Sequence, residues 1–533
     1  MLINTVSGQI CDKSEQAASF ESLSIFAKLV SSMTTHIDGI SINQCVMQYY
    51  RYAMFSHMWE ANEPLFDKVT RIVVYDLDDS PTHVKLKKFC KIVWAAGLHW
   101  AWSDTCCINK ADDSALQEAM VARFKWYEGS AVTIVFLCDV LSPPRRGDLT
   151  KSIWNSLAWT WQEYRASKVI RFYTKDWKLY MNLDIPNHKD SPEVISEIEE
   201  AMGVSARAMM VLRPGLDDIR EKLWLASTRQ TTLVEDVAYF LFGIFSTSFP
   251  VVYGEGDQAL GRLLAQLLTR SRDASILAWT GKSGSFNSCL PSNITVFNQL
   301  PPPHIPLAMP RTEIEPISDD EMERMVATSP SSFDLDMALS LYEHLNELSP
   351  PWFSGQQMKF PCIAFQLPPF SRHRTRSGCT VYRADTIAFG MMEIKTKNDI
   401  SRIKTLYLVH PWLDTLLESK DRRSITAGED TTPLPSPNAD GKWISDEEFN
   451  AKYPWPPRPE LPSSTPPMNR EIRARRLVEH LRLPFGAILL ALTLSGVRTD
   501  YKRVAADTLV RVQFEKNVSL TDILDNVRTL DVL

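Results

Sequence analysis

Three things are scarce in this 533-residue chain. No apolar run approaches the roughly 20 residues that cross a bilayer as a helix, so no membrane span is expected. Basic residues are not in excess: 58 Lys and Arg stand against 64 Asp and Glu, a formal charge of −6. That balance argues against a protein built to hold nucleic acid by its phosphates. The nine cysteines (Cys11, Cys45, Cys90, Cys106, Cys107, Cys138, Cys289, Cys362 and Cys379) contain no C-x-x-C pair. Neither a zinc ribbon nor a thioredoxin-like redox site is therefore indicated, and no metal site is expected. Adjacent Cys106 and Cys107 cannot readily bridge each other and read as reduced packing residues. The opening "MLINTVSGQICDKSEQ" lacks the basic n-region and apolar core of a secretory signal, so a cytoplasmic protein is expected. "GKS" at 281–283 is no phosphate-binding loop, because Ile276 stands where its first glycine belongs. No repeat of solenoid period is visible.

What is present describes a globular protein of two to four units: 44% hydrophobic and 23% charged residues. Residues 1–47 carry a helical pattern, "FESLSIFAKLVSSM". From 48 to 182, short apolar runs alternate with amphipathic helices. "YRYAMFSHMW", "RIVVYDLDD", "HWAWSD" and "VTIVFLCDV" read as strands. "THVKLKKFCKIVWAAGL" reads as a helix with Gly97 at its C-terminal end, and "SALQEAMVARFKWYEGSA" as another with Ser114 as N-cap. Such alternation predicts an α/β domain with a parallel sheet and crossover helices. Residues 183–280 read as mostly helical, with Leu260, Leu263, Leu264, Leu267 and Leu268 forming a core-facing stripe. From 281 to 533 prolines crowd 301–303, 350–351 and 454–467, between candidate strands "FPCIAFQL", "TIAFGMMEI", "TLYLVHPWL" and "YKRVAADTLVRVQF" and a short helix "LTDILDNVRTL". A C-terminal α+β region with proline-rich loops is expected there.

Several blocks, in order, resemble the fungal heterokaryon-incompatibility (HET) domain family. "YAMFSHMWE" is similar to the family's opening strand and Ser-His-x-Trp-Gly turn. "FCKIVWAAGLHWAWSDTCCINKADDSALQEAMVARFKWYEGSAVTIVFLCDV" is similar to its W-I-D-T-C-C-I-(D/N)-K region. "WNSLAWTWQE" is similar to W-x-x-R-G-W-T-L-Q-E, and "RQTTLVEDVAYFLFGIFSTSFPVVYGEGDQALGRL" to the segment that follows. Glu60 replaces the favoured glycine and Leu157 the favoured arginine. The resemblance implies a TIR-like, flavodoxin-like parallel sheet at 48–182 and a helical region at 183–280 that completes the unit. It also implies a role in non-self recognition or programmed cell death and self-association through the domain, with an unidentified protein partner. By further analogy, some TIR domains cleave NAD with a glutamate in a W-C-x-x-E helix, and Trp159 to Glu163 fits that spacing with Thr for Cys. NAD would then be a substrate, with no cofactor.

Breaking the nicotinamide–ribose bond builds oxocarbenium character on the sugar, which one carboxylate can stabilise or trap. The leaving group is already cationic, so no partner acid is needed. Glu163 is accordingly the catalytic candidate. Trp159, four residues earlier on the same helical face, is a candidate wall for a nicotinamide or adenine ring. Ligands of open parallel sheets lie beyond the C-terminal strand ends. That rule adds Ser56, His57 and Trp59 after the first strand, and Asp104 after "HWAWS", as substrate-binding candidates. Asp104 reads more readily as a cap of the following turn than as a ribose ligand. With no third group to orient His57, no triad with Ser56 is expected. Arg229, Glu235 and Asp236 read as an ion-paired anchor for the helical region, and "YGEG" at 253–256 as a turn. The rival reading is a non-enzymatic signalling module whose tryptophans are core and whose Glu163 is structural.

Overall fold

The chain opens with a hairpin, β1 (Leu2–Asn4) and β2 (Ile10–Cys11), which the helical pattern of the first 47 residues does not signal. The structure, a computed structural model, describes residues 1–33, 39–203, 213–271, 273–298, 334–374, 380–411, 470–495, 498–508 and 510–533. Three helices follow the hairpin: α1 (Lys13–Glu21), opened by a capping box on Asp12, α2 (Ser24–Met33) and α3 (Gly39–Tyr49). Next come β3 (Tyr52–His57), α4 (Phe66–Val69), α5 (Pro81–Ala95) and β4 (Trp100–Trp102). They lead to α6 (Asp113–Glu128), β5 (Val132–Leu137), α7 (Asp148–Lys151), α8 (Ala158–Ala166), β6 (Ile170–Thr174) and α9 (Pro192–Met202).

These strands make one six-stranded sheet in the order β2-β1-β4-β3-β5-β6. Strands β4, β3, β5 and β6 run parallel, and β1 closes the β4 edge antiparallel. Taken alone, the parallel strands run second-first-third-fourth in chain order, the doubly wound order of flavodoxin-like sheets; the alternating pattern predicts the parallel sheet, and the family resemblance implies this layout. All six residues of β5 are buried, as a strand covered on both faces requires. Phe55 and Ser56 point to opposite faces of β3: the Phe55 ring stacks on Phe89 of α5 at 4.3 Å, while Ser56 reaches α8.

Two local expectations are corrected. "RIVVYDLDD" is not a strand but a 3-10 turn, Val74–Asp76, because the Val74 amide bonds to the Gly8 carbonyl (2.8 Å) and the Tyr75 hydroxyl to the Thr5 carbonyl. The run is satisfied by docking on the hairpin instead of by a ladder. The N-cap of α6 is Asp112, not Ser114; its carboxylate accepts from the Ser114 and Ala115 amides.

The described chain forms two compact units. One is Met1–Gly215 with Arg229–Val251, whose later part adds short helices at Asp236–Tyr239 and Phe242–Phe245. The other is Leu216–Thr228, Val252–Thr426 and Arg458–Leu533. Its helix Gln258–Ser271 buries the expected leucine stripe. Its strands β7 (Trp352–Ser354), β8 (Gln357–Gln366), β9 (Ser371–Arg374), β10 (Thr380–Thr386), β11 (Gly390–Lys395), β12 (Leu406–Pro411), β13 (Phe485–Ser495), β14 (Arg498–Arg503), β15 (Val510–Val512) and β16 (Val527–Val532) confirm a β-rich C-terminal region. Five of them close a ring, β12-β13-β14-β16-β8, with β8 pairing back to β12. The proline clusters at 301–303 and 454–467 lie outside the described residues. No helix among the described residues is long and apolar enough to cross a membrane.

Candidate active site

At the C-terminal ends of β3 and β4, side chains from four elements converge on two carboxylates. Ser56 donates its Oγ–H to Glu163 Oε2 at 2.5 Å and accepts from the Trp154 indole at 2.9 Å. Arg123 of α6 places Nη2 2.5 Å from Glu163 Oε1 and 2.9 Å from Asp104 Oδ2. The Trp59 indole N–H lies 3.1 Å from each oxygen of Asp104, and Lys110 Nζ sits 3.4 Å above the Trp59 ring. His57 stacks on Phe55 at 4.2 Å, with Nδ1 3.0 Å from the Met58 carbonyl and Nε2 3.7 Å from Asp104 Oδ1. Beside it, Lys85 pairs with Glu63 and with Glu60.

Burial decides how these groups behave. Glu163 is 2% exposed and Trp59 45%. Desolvation pushes the Glu163 carboxyl above its ordinary range, while Arg123 beside it and the Ser56 hydroxyl pull back towards the ionised form. Desolvation would also raise Asp104, but the Arg123 guanidinium, by its charge and its hydrogen bond, outweighs it and holds Asp104 low. For His57, burial first and the Lys85 charge second lower the imidazole to about 3, so it is neutral near pH 7.

Five of the six residues singled out in the sequence, Ser56, His57, Trp59, Asp104 and Glu163, belong to this one cluster. Trp159 joins it through Arg123, whose guanidinium lies 4.7 Å from its ring; its indole N–H points to Asp236 at 3.3 Å. The ring face expected to meet a ligand therefore already carries a cation. Asp104 does not cap the turn after β4: its carboxylate binds Arg123 and Trp59, while the Ser103 carbonyl accepts from the Cys106 and Cys107 amides. Arg229 bonds the Asn155 carbonyl, and Gln230 pairs with the backbone of Ser156 and Ala158, so this segment clamps the start of α8. Glu60, the departure from glycine, is absorbed by its pair with Lys85 at 3.0 Å.

Arg123 and Trp154 are the residues that the sequence reading missed. Arg123 lies within the buried stripe Ala119, Met120, Arg123, Phe124 and Tyr127 of α6. A cation at an apolar position of an amphipathic helix implies a buried anion to meet it, and that was the available signal.

Over 226 residues the chain is 31% identical to vegetative incompatibility protein HET-E-1 of Podospora anserina. That likeness supports a heterokaryon-incompatibility-related protein. The match takes in 40% of this chain and 16% of the length of that relative. No family model matches the chain. No solved structure matches it either, so the TIR likeness gains no structural parallel.

Proposed function

We propose that this chain acts in vegetative incompatibility, the fungal non-self response that can end in cell death, and that its parallel-sheet unit cleaves NAD at the nicotinamide–ribose bond. The observation that carries this reading is a buried glutamate at the strand ends, held by a hydroxyl donor and a guanidinium and flanked by a second carboxylate. In the reaction, the bond from ribose C1′ to the pyridinium nitrogen breaks. Its electron pair neutralises the ring, and nicotinamide leaves uncharged. The Glu163 carboxylate stabilises the positive charge left at C1′ until water adds there and releases a proton. Arg123 and Ser56 hold the carboxylate oxygens, so they set its direction and its charge.

A second reading is favoured by one specific observation. Both Glu163 oxygens are engaged and the residue is 2% exposed, which suits a structural ion pair in a signalling module that acts by association. Under the enzymatic reading, self-association or substrate must draw Arg123 or Ser56 off the carboxylate. The discriminating experiment is NAD consumption by the purified full chain at high protein concentration, with a crowding agent, for wild type and Glu163→Gln. Enzymatic action requires nicotinamide release by wild type and a fall of at least about 100-fold in the variant at equal folding. Equal rates in both, or no release by assembled wild type, leave the signalling module.

A further inference from the structure

We propose that His57 Nε2 and Asp104 Oδ1 together accept the two hydroxyls of a ribose cis-2′,3′-diol. The proposal rests on the nucleotide-cleaving reading of this site and adds what would hold the sugar. Both groups near His57 Nδ1 are acceptors, the Met58 carbonyl at 3.0 Å and Glu63 Oε1 at 3.7 Å, so the single imidazole proton belongs on Nδ1. That leaves a lone pair on Nε2, which is buried and has no hydrogen-bond partner, and it faces Asp104 Oδ1 across 3.7 Å. The residue itself is 7% exposed.

Two acceptors this close repel unless donors sit against them. Stacking on Phe55, itself stacked on Phe89, prevents the imidazole from turning away. Protonation is disfavoured by burial and by Lys85. Adjacent cis hydroxyls present two O–H donors at about the spacing of neighbouring hydrogen-bonded oxygens, about 2.8 Å, and so serve both acceptors at once. Arg123 cannot take this role, because its Nη2 already serves the other oxygen, Asp104 Oδ2. Trp59 is the exposed donor on Asp104, so the sugar enters by displacing its indole N–H. Glu163 lies one guanidinium away, which brings the anomeric carbon of the same ribose towards the carboxylate.

The test is calorimetric titration of the full-length Glu163→Gln protein with NAD and with the analogue lacking the 2′-hydroxyl on the nicotinamide ribose. NAD should bind at least about 10-fold more tightly, because the analogue without the 2′-hydroxyl leaves buried His57 Nε2 unsatisfied while the 3′-hydroxyl still serves Asp104. Adding His57→Phe, which keeps the stack on Phe55, should bring the two ligands to equal affinity. Equal affinity before that change, no binding of either ligand, or a preference that survives His57→Phe overturns the proposal. The two readings fail separately. Diol preference without wild-type NAD cleavage rejects the chemistry at Glu163 and keeps the sugar site. Cleavage without diol preference does the reverse.

Discussion

Arg123 carries the electrostatics of the cluster at the level of single residues. It is 6% exposed, and one nitrogen serves both Glu163 and Asp104. Replacing it by methionine strands two buried carboxylates, a loss of about 3–5 kcal/mol in chemical denaturation. Arg123→Met combined with Glu163→Gln should lose less than the sum of the two single changes, because each then removes a charge that the other left unpaired. His57 gives a second prediction, in pH. Its folded value of about 3 lies below the ordinary 6.5, so between these values the unfolded chain holds a proton that the native state lacks. Stability therefore rises with pH across that window and falls as pH drops through it. His57→Phe should remove this contribution, narrowing the stability difference between pH 7 and pH 4.5 by about 2–3 kcal/mol in urea titrations. At this scale the sequence was informative about Glu163, Ser56, His57, Trp59 and Asp104, because motif spacing and strand ends mark them. It was less so about Arg123, which only the convergence of α6 and α8 explains.

Periodicity located most elements and missed where tertiary pairing decides. The buried run of β5 and the stripe of α6 were legible because each follows a single period. "TIAFGMMEI" reads as one strand but runs from the last residue of β10 through the hairpin turn at 387–389 into β11, which starts at Gly390 with φ +62. The eleven-residue β13 passed unread, since a continuous apolar run suits a buried helix as well; its pairing with β12 and β14 makes it a strand. Tight packing of elements around α8 gives a further prediction. A Cβ on Gly243, in the short helix Phe242–Phe245, would meet Phe124 Cβ of α6 at 2.2 Å and Gln162 Nε2 of α8 at 2.7 Å. Gly243→Ala should cost about 1–3 kcal/mol by thermal or chemical denaturation, by forcing α6 and α8 apart beside Glu163. If the variant matches wild type in stability, the three elements are less rigidly packed than this contact requires.

On the scale of the whole molecule, the unit that bears the cluster is not a continuous stretch of chain. The expected sheet domain, 48–182, contains every residue of the cluster, yet its Glu163 helix is held by residues far beyond it. Arg229 and Gln230 bind the backbone at 155–158, Asp236 accepts from Trp159, and Phe240 meets the edges of Trp159 and Trp161 at 6.4 and 6.3 Å. Glu197 of α9 accepts from the Leu149 amide at 3.1 Å and the Tyr180 hydroxyl at 2.9 Å, fixing the loop that leads into α8. A chain of residues 1–182 would leave the Trp159 indole N–H without its acceptor, the Trp159 and Trp161 rings without Phe240, the backbone at 155–158 without its clamp, and the Leu149 amide without Glu197. Buried polar groups without partners and an uncovered aromatic face each cost on the order of 1–3 kcal/mol, and together they approach the whole stability of a small domain. Residues 1–182 should therefore melt without a cooperative transition in circular dichroism, whereas residues 1–251, which restore every one of these contacts, should melt in a single step. A cooperative melt of 1–182 would mean that the sheet alone holds α8, and Glu163 with it, in place.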